Sequence, residues 1–176
     1  CEARGHLGTD RSSREIVPEV VAAVKNIPVI GAGAVLDGKD IVEMLKLGAS
    51  GVQMGSRFAA SEECNASDEL KKMYVRAEKP EDIVLIDSPV GYPGQAIKNK
   101  FAESILDGTV EPPKKCDRCL KHCTRKFCII RALSRAQQGD VETGLVFSGN
   151  NMRRVESILP VKDIFAKLQA EVAAID

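Results

Sequence analysis

Two stretches in which small residues end an apolar run carry the clearest chemical signal. Gly31-Ala32-Gly33-Ala34 follows Ile27-Pro28-Val29-Ile30, and Met54-Gly55-Ser56 follows Gly51-Val52-Gln53. Small residues let backbone N–H groups come close to an anion, and turns after neighbouring parallel strands aim those donors at one point. Either turn alone reads equally well as a tight strand-to-helix connection. The two together favour a phosphate site, with Gly33, Ala34, Gln53, Met54, Gly55 and Ser56 as its candidate residues. A third loop, Glu2-Ala3-Arg4-Gly5-His6-Leu7-Gly8, stands where it would follow the preceding strand of the same sheet. His6 is then a general acid/base candidate, because an imidazole titrates near neutrality and can take a proton from a carbon acid. The plainer reading of His6 is a loop histidine with no chemical role.

Cys116, Cys119, Cys123 and Cys128 form a C-x2-C-x3-C-x4-C run. Thiolates so closely spaced can satisfy zinc or an iron–sulfur cluster. The competing reading is a set of reduced thiols, made reactive by Lys114, Lys115, Arg118, Lys121, Arg125 and Lys126 around them. Cys64, His122 and Met152 carry no such signal.

The elements that must position these residues alternate. Ile16, Val17, Val20, Val21 and Val24 give a helix face, with Pro18 tolerable only in a first turn. Ile27 to Ile30 reads as a strand and Asp37 as the cap of a helix bearing Ile41, Val42 and Leu45, closed by Gly48. Gly51 to Met54 is the next strand, and Ser67 starts another helix. Such alternation signals βαβ units and a parallel sheet. From about Lys79 the pattern changes to a strand at Ile83 to Ile86, a turn at Ser88 to Gly94 and a helix around Ile97 to Leu106. The cysteine run, a helix near Ile129 to Gln138, a polar loop at Phe147 to Asn151 and a helix from Val161 to Val172 follow. The expected division is 1–78 for the sheet-forming part and 79–176 for an appended, mainly helical substrate or lid subdomain.

The composition is that of an ordinary globular protein: 176 residues, 44% apolar, with 25 basic and 25 acidic side chains. Zero formal net charge argues against nucleic acid or anionic lipid as a partner. No apolar run approaches the ~20 residues of a membrane helix. With six cysteines but ample apolar content for a core, the expected setting is reducing and cytoplasmic. The start at Cys1 reads as a fragment boundary.

Taken in order, Glu2 to Gly8, Ile27 to Ala34 and Gly51 to Phe58 resemble the EAGGHxG, PVIxxGGI and GVQMGTRF segments of nitronate monooxygenases (2-nitropropane dioxygenases) and the related FMN-dependent enoyl-acyl-carrier-protein reductases. Ser88 to Gly91 and Lys98 to Phe101 resemble family features more weakly. The resemblance implies the C-terminal part of a (β/α)8 TIM barrel, an α/β fold, with the N-terminal half of the barrel as a missing partner. It implies FMN, with the phosphate on Gly33, Ala34, Gln53, Met54, Gly55 and Ser56, with Arg4 and Gly5 beside the cofactor and His6 facing its ring. It also implies a small-molecule substrate. Two departures stand out. Ala34 replaces the second glycine of GGI, which is harmless if its φ is negative. Arg4 replaces the first glycine of GGH and adds bulk and charge that alter the pocket.

Three functions follow as expectations: oxidation of alkyl nitronates with oxygen, reduction of enoyl thioesters with a nicotinamide donor, or a non-catalytic cysteine-rich metal module on a barrel remnant.

Overall fold

The structure is a computed structural model that describes residues 11–149 and 151–175. Ser12 caps the first helix, α1 (Ser13–Val24): its hydroxyl accepts from the Arg14 N–H, and the Glu15 carboxylate accepts from the Ser12 N–H at 3.1 Å. Pro18 lies inside α1, beyond the first turn where the sequence would tolerate it. The lost N–H is offset by the capping box, by the burial of Val17 and by the ion pairs of Arg14.

Strand β1 (Ile30–Ala32) begins later than the apolar run suggests. Pro28 has no N–H to give to a ladder, and pairing with β2 (Gly51–Gln53) runs only from Ile30↔Gly51 to Ala32↔Gln53, in parallel. Between them runs α2 (Gly38–Lys46), capped by Asp37, whose side chain accepts from the Asp40 N–H at 3.0 Å. After β2 come the short α3 (Ser56–Ala59) and α4 (Asp68–Arg76), the latter capped by Ser67 as its sequence predicts.

Beyond α4 the chain forms an antiparallel hairpin of β3 (Ile83–Asp87) and β4 (Pro93–Ile97), in register from Ile83↔Ile97 to Asp87↔Pro93. The expected turn at Ser88 to Gly94 is therefore shorter, its last two residues, Pro93 and Gly94, being strand. Pro93 is tolerated because it opens the strand. Helix α5 (Lys100–Leu106) starts at its Asn99 cap rather than at Ile97. Helices α6 (Ile129–Gln137) and α7 (Val161–Ala173) complete the described elements. The later part of the chain is thus one antiparallel hairpin with the three helices α5, α6 and α7.

The core does not part at residue 78. One cluster joins Leu36, Ala60, Leu70 and Tyr74 to Ile97, Val146, Met152 and Val155. Helix α7 returns to pack on α2, so closely that a Cβ on Gly38 would lie 2.4 Å from Glu171 Cβ and 2.7 Å from the Val172 nitrogen. The Gly38 N–H donates to Glu171 Oε2 at 2.8 Å. Among the described residues no helix is long and apolar enough to cross a membrane.

The ties between α1, α2 and the chain before α7 meet at Asp40, which is 4% exposed. Its Oδ2 accepts from the Leu36 N–H at 2.8 Å, and Oδ1 accepts from Arg14 at 2.9 Å and from Arg154 at 3.2 Å. Arg154 also bonds Asp37. Burial pushes the Asp37 carboxyl up, but the Asp40 N–H, Arg154 and the Lys39 N–H outweigh it and hold the group below the usual aspartate range. A carboxyl lowered in the folded state adds stability that is complete above its unfolded value and is lost as pH falls through the folded one.

Removing the charge in Asp40→Asn leaves two arginines facing a neutral amide. The two arginine side chains are 25% and 32% exposed, so the expected loss is about 2–3 kcal/mol rather than the full cost of a broken buried pair. Denaturant unfolding of the full-length protein checks this, and Asp37→Asn should flatten the acid limb of stability against pH. An Asp40→Asn midpoint equal to wild type would remove the carboxylate from its central place.

Candidate functional site

Strand β1 delivers Ala32 to the mouth of a cleft, and the next two residues turn through left-handed backbone, Gly33 at φ 101° and Ala34 at φ 55°. Ala34 therefore does not have the negative φ that would make its substitution for glycine harmless. An L-residue there brings Cβ close to the following carbonyl at a cost of about 1–2 kcal/mol. The turn is held by Ser13, whose hydroxyl donates to the Gly33 carbonyl at 3.2 Å, and by the Asp40 bond to Leu36.

Strand β2 delivers Gln53 to the same cleft, and Gly55 precedes α3, where the Phe58 and Ala59 N–H groups donate back to the Gly55 carbonyl at 3.1 and 3.0 Å. Gln53, Gly55 and Ser56 line the cleft together with Gly33 and Ala34. Met54 does not; it packs against the cluster of Val17, Val35, Met44 and Ala49. Successive side chains of a strand point to opposite faces, so when Gln53 faces the cleft Met54 faces the α1–α2 core. Arg57, buried behind the turn, donates from Nη1 to the Ser157 carbonyl at 3.0 Å, and burial lowers its pKa.

The opposite wall comes from residues that carry no signal in the sequence. Phe147 bridges to Ala96 of β4, and the Ser148 N–H donates to the Gln95 carbonyl at 3.1 Å, so this loop extends the hairpin sheet. The Gly149 N–H then reaches across to Ser56 Oγ at 3.2 Å. Tyr74, from α4, donates its hydroxyl to the Phe147 carbonyl at 3.1 Å. Burial, reinforced by the nearby Cys64 sulfur, pushes the Tyr74 pKa up to about 12, so it remains a neutral donor. Met152 is fully buried in the cleft wall. The cleft encloses about 340 Å³, and among the described residues its lining holds no charged side chain. An anion entering it would meet no carboxylate to repel it and no lysine or arginine to fix it.

Arg4, Gly5 and His6 lie outside the described residues. Cys116 and Cys119 are exposed and Cys123 and Cys128 half-buried, all four unpaired. Cys116 and Cys123 line a second cleft that shares no lining residue with the first; Cys119 and Cys128 line neither. Among the described residues, no three His, Cys, Asp or Glu side chains stand close enough to hold a metal ion, so the expected metal grip is not assembled as the side chains lie. The sulfurs of Cys116 and Cys123 each accept from a nearby backbone N–H, and Cys128 turns to Asp117.

Parallel βα units with a cleft at their strand ends are the architecture of an α/β enzyme. A family model for nitronate monooxygenase matches residues 1–171, and the chain belongs to that family of enzymes. A probable nitronate monooxygenase from Staphylococcus haemolyticus is 33% identical over 168 residues, covering 89% of this chain and 44% of that protein. One from Staphylococcus aureus strain JH9 is 34% identical over 163 residues, covering 86% and 43%. Among solved structures, FabK from Thermotoga maritima superposes with a TM-score of 0.80 at 31% identity, covering 99% of this chain and 52% of that one. A nitroalkane oxidase from Streptomyces ansochromogenes shares the fold, with a TM-score of 0.71 at 24% identity over 98% and 50%. The chain thus spans about half the length of the proteins it matches.

Glycine at position 34 would relieve the left-handed strain at a smaller cost in unfolded-chain entropy. Ala34→Gly should therefore raise stability by about 1 kcal/mol. A chemical denaturation midpoint lower than that of wild type would show that the alanine methyl makes a contact worth more than the strain.

Proposed function

We propose that this chain is the FMN-phosphate half of a flavin-dependent oxidoreductase that oxidises alkyl nitronates with oxygen. The observation that carries the reading is the cleft free of charged side chains that the two small-residue turns, Gly33-Ala34 and Gly55-Ser56, line together at the ends of the paired strands β1 and β2. A dianionic phosphate suits such a cradle, since oriented amides compensate its charge and no carboxylate opposes it. When bound, the flavin supplies the electron transfer, and the protein orients it and excludes competing reactions. His6 is assigned the proton: it takes one from a carbon acid or orients the substrate anion, with Arg4 and Gly5 beside the ring.

The remaining strands of a closed barrel belong to this proposal as the partner of β1. Ile27 and Ile30 beside it are 67% and 57% exposed, and among the described residues β1 pairs only with β2. Apolar surface along an open parallel edge is what closure covers.

A second reading, reduction of enoyl thioesters with a nicotinamide donor, is favoured by the likeness to FabK, which is the stronger structural match of the two kinds. Steady-state turnover of the full-length protein with an alkyl nitronate and oxygen, against an enoyl thioester with NADH or NADPH, separates them. Turnover of the thioester alone would reject the monooxygenase reading. A full-length protein purified without flavin would favour the non-catalytic module instead.

His6→Asn should lower turnover by about a hundredfold or more while flavin content stays at the wild-type level, the usual weight of a lost general base. Absorbance at the flavin band and initial rates on the same sample check both halves. Equal turnover would take His6 out of the chemistry.

A further inference from the structure

Residues 111–128 hold six lysines and arginines against two carboxylates, in a chain whose basic and acidic side chains balance at 25 each. A local excess on a neutral molecule acts at short range, on whatever docks beside it. The excess has a definite place. Arg118, Lys121, His122 and Arg125 line the second cleft, which encloses about 490 Å³ against the turn from Pro89 to Gly91, and among the described residues no carboxylate lines it. All four side chains are exposed.

The carboxylates beside this loop are taken by other cations. Asp87 pairs with Lys126 at 2.7 Å, and Asp117 accepts from Arg131 at 2.8 and 2.9 Å. Among the described residues Arg118, Lys121 and Arg125 form no ion pair. The loop that carries them is fastened to the body: the Thr124 N–H donates to the Pro89 carbonyl at 3.0 Å, and buried Phe127 meets Phe101 edge-on at 5.3 Å. Val90 and Leu120, half-buried, pack on the core cluster around Ile86 and Phe127 and give the cleft an apolar surface beside its cations.

Guanidinium groups grip phosphate oxygens in pairs, and a lysine adds a point charge. A terminal phosphate carries about −1.5 to −2 at neutral pH, and a second, linked phosphate adds about one more. Three fixed cations therefore suit a diphosphate better than a single phosphate. The volume lies within the roughly 300–1,000 Å³ of small-molecule sites, with room for more than the phosphates, and the apolar surface of Val90 and Leu120 suits a base. A concave cleft of this size also favours a small molecule over a flat bilayer or a protein face, which needs ~800 Å² on each partner.

We propose that the cleft between the Pro89–Gly91 turn and the basic loop binds a nucleoside diphosphate, with Arg118, Lys121 and Arg125 on the phosphates. The site is separate from the flavin cleft and does not rest on the flavin reading. A bound diphosphate would neutralise the loop's unpaired cations and tie the loop to the turn.

The test titrates ADP into full-length protein saturated with FMN, followed by calorimetry. One ADP should bind per chain, with a dissociation constant below about 1 mM. Arg118→Gln combined with Arg125→Gln should weaken it by about tenfold or more, the weight of lost charge-assisted hydrogen bonds. Lys114→Gln, a change in the same loop outside the cleft, should leave affinity within about twofold of wild type, as expected for an exposed charge that touches no ligand. Flavin content of the double variant should equal that of wild type, which keeps a failure here apart from a failure of the flavin reading. Should the double variant fail to fold, wild-type protein decides: ADP should slow tryptic cleavage within residues 114–126 several-fold. Absence of saturable ADP binding, or equal affinity in the double variant, would overturn the site. Orthophosphate competing as well as ADP would show a surface that takes any anion and would overturn the nucleotide. Displacement of ADP by a polyglutamate peptide or by phosphatidylserine vesicles, at concentrations where ADP itself binds no better, would overturn it in favour of a macromolecular partner.

Discussion

A carboxylate withdrawn from water must be surrounded by donors or it unfolds what buries it, and Asp40 is such a group. Its oxygens are shared among the Leu36 N–H and the guanidinium groups of Arg14 and Arg154. Those three donors come from the turn after β1, from α1 and from the segment leading into α7. Leu36 stands in one wall of the cleft and Met152, two residues before Arg154, in the other. The spacing of the two walls is therefore fixed from behind by one side chain that never reaches the cleft. Asp37, capping the same helix and bonded to the same arginine, supports that arrangement from the solvent side.

The cleft built on this support contains no formal charge among its described lining residues. In the proposed function an anion is held there by backbone geometry rather than by a lysine, and two consecutive residues of the first turn, Gly33 and Ala34, adopt left-handed φ. An amide cradle is rigid and shallow in its demands on sequence. It needs small residues and turn geometry, so it leaves a recognisable mark in a few positions and none elsewhere.

That division explains how much was legible in the residues alone. The β1 and β2 turns, the Asp37 and Ser67 caps and the helices after them are local, and local patterns announced them. Gln53 and Met54 could not be told apart until the strand's facing was known. Ser148, Gly149 and Tyr74 complete the cleft from 90 or so residues away in the case of Ser56 and Gly149, through a hairpin extension that no local pattern encodes. Strand β4 was hidden because Pro93 and Gly94 read as turn residues, although at a strand's opening they cost little. The sign of φ at Ala34 is not legible in the residues for a plainer reason: it is set by the turn, and a methyl group does not reveal it.

Tyr74 has a further consequence. The chain has no tryptophan and two tyrosines, and the second, Tyr92, is 59% exposed. The near-ultraviolet emission of these residues therefore comes from one phenol in the cleft wall, hydrogen-bonded to Phe147, and one in solvent. Anything that enters the cleft perturbs the first and leaves the second as an internal reference. Within these 176 residues the cleft thus carries its own optical reporter of occupancy, with no label to attach.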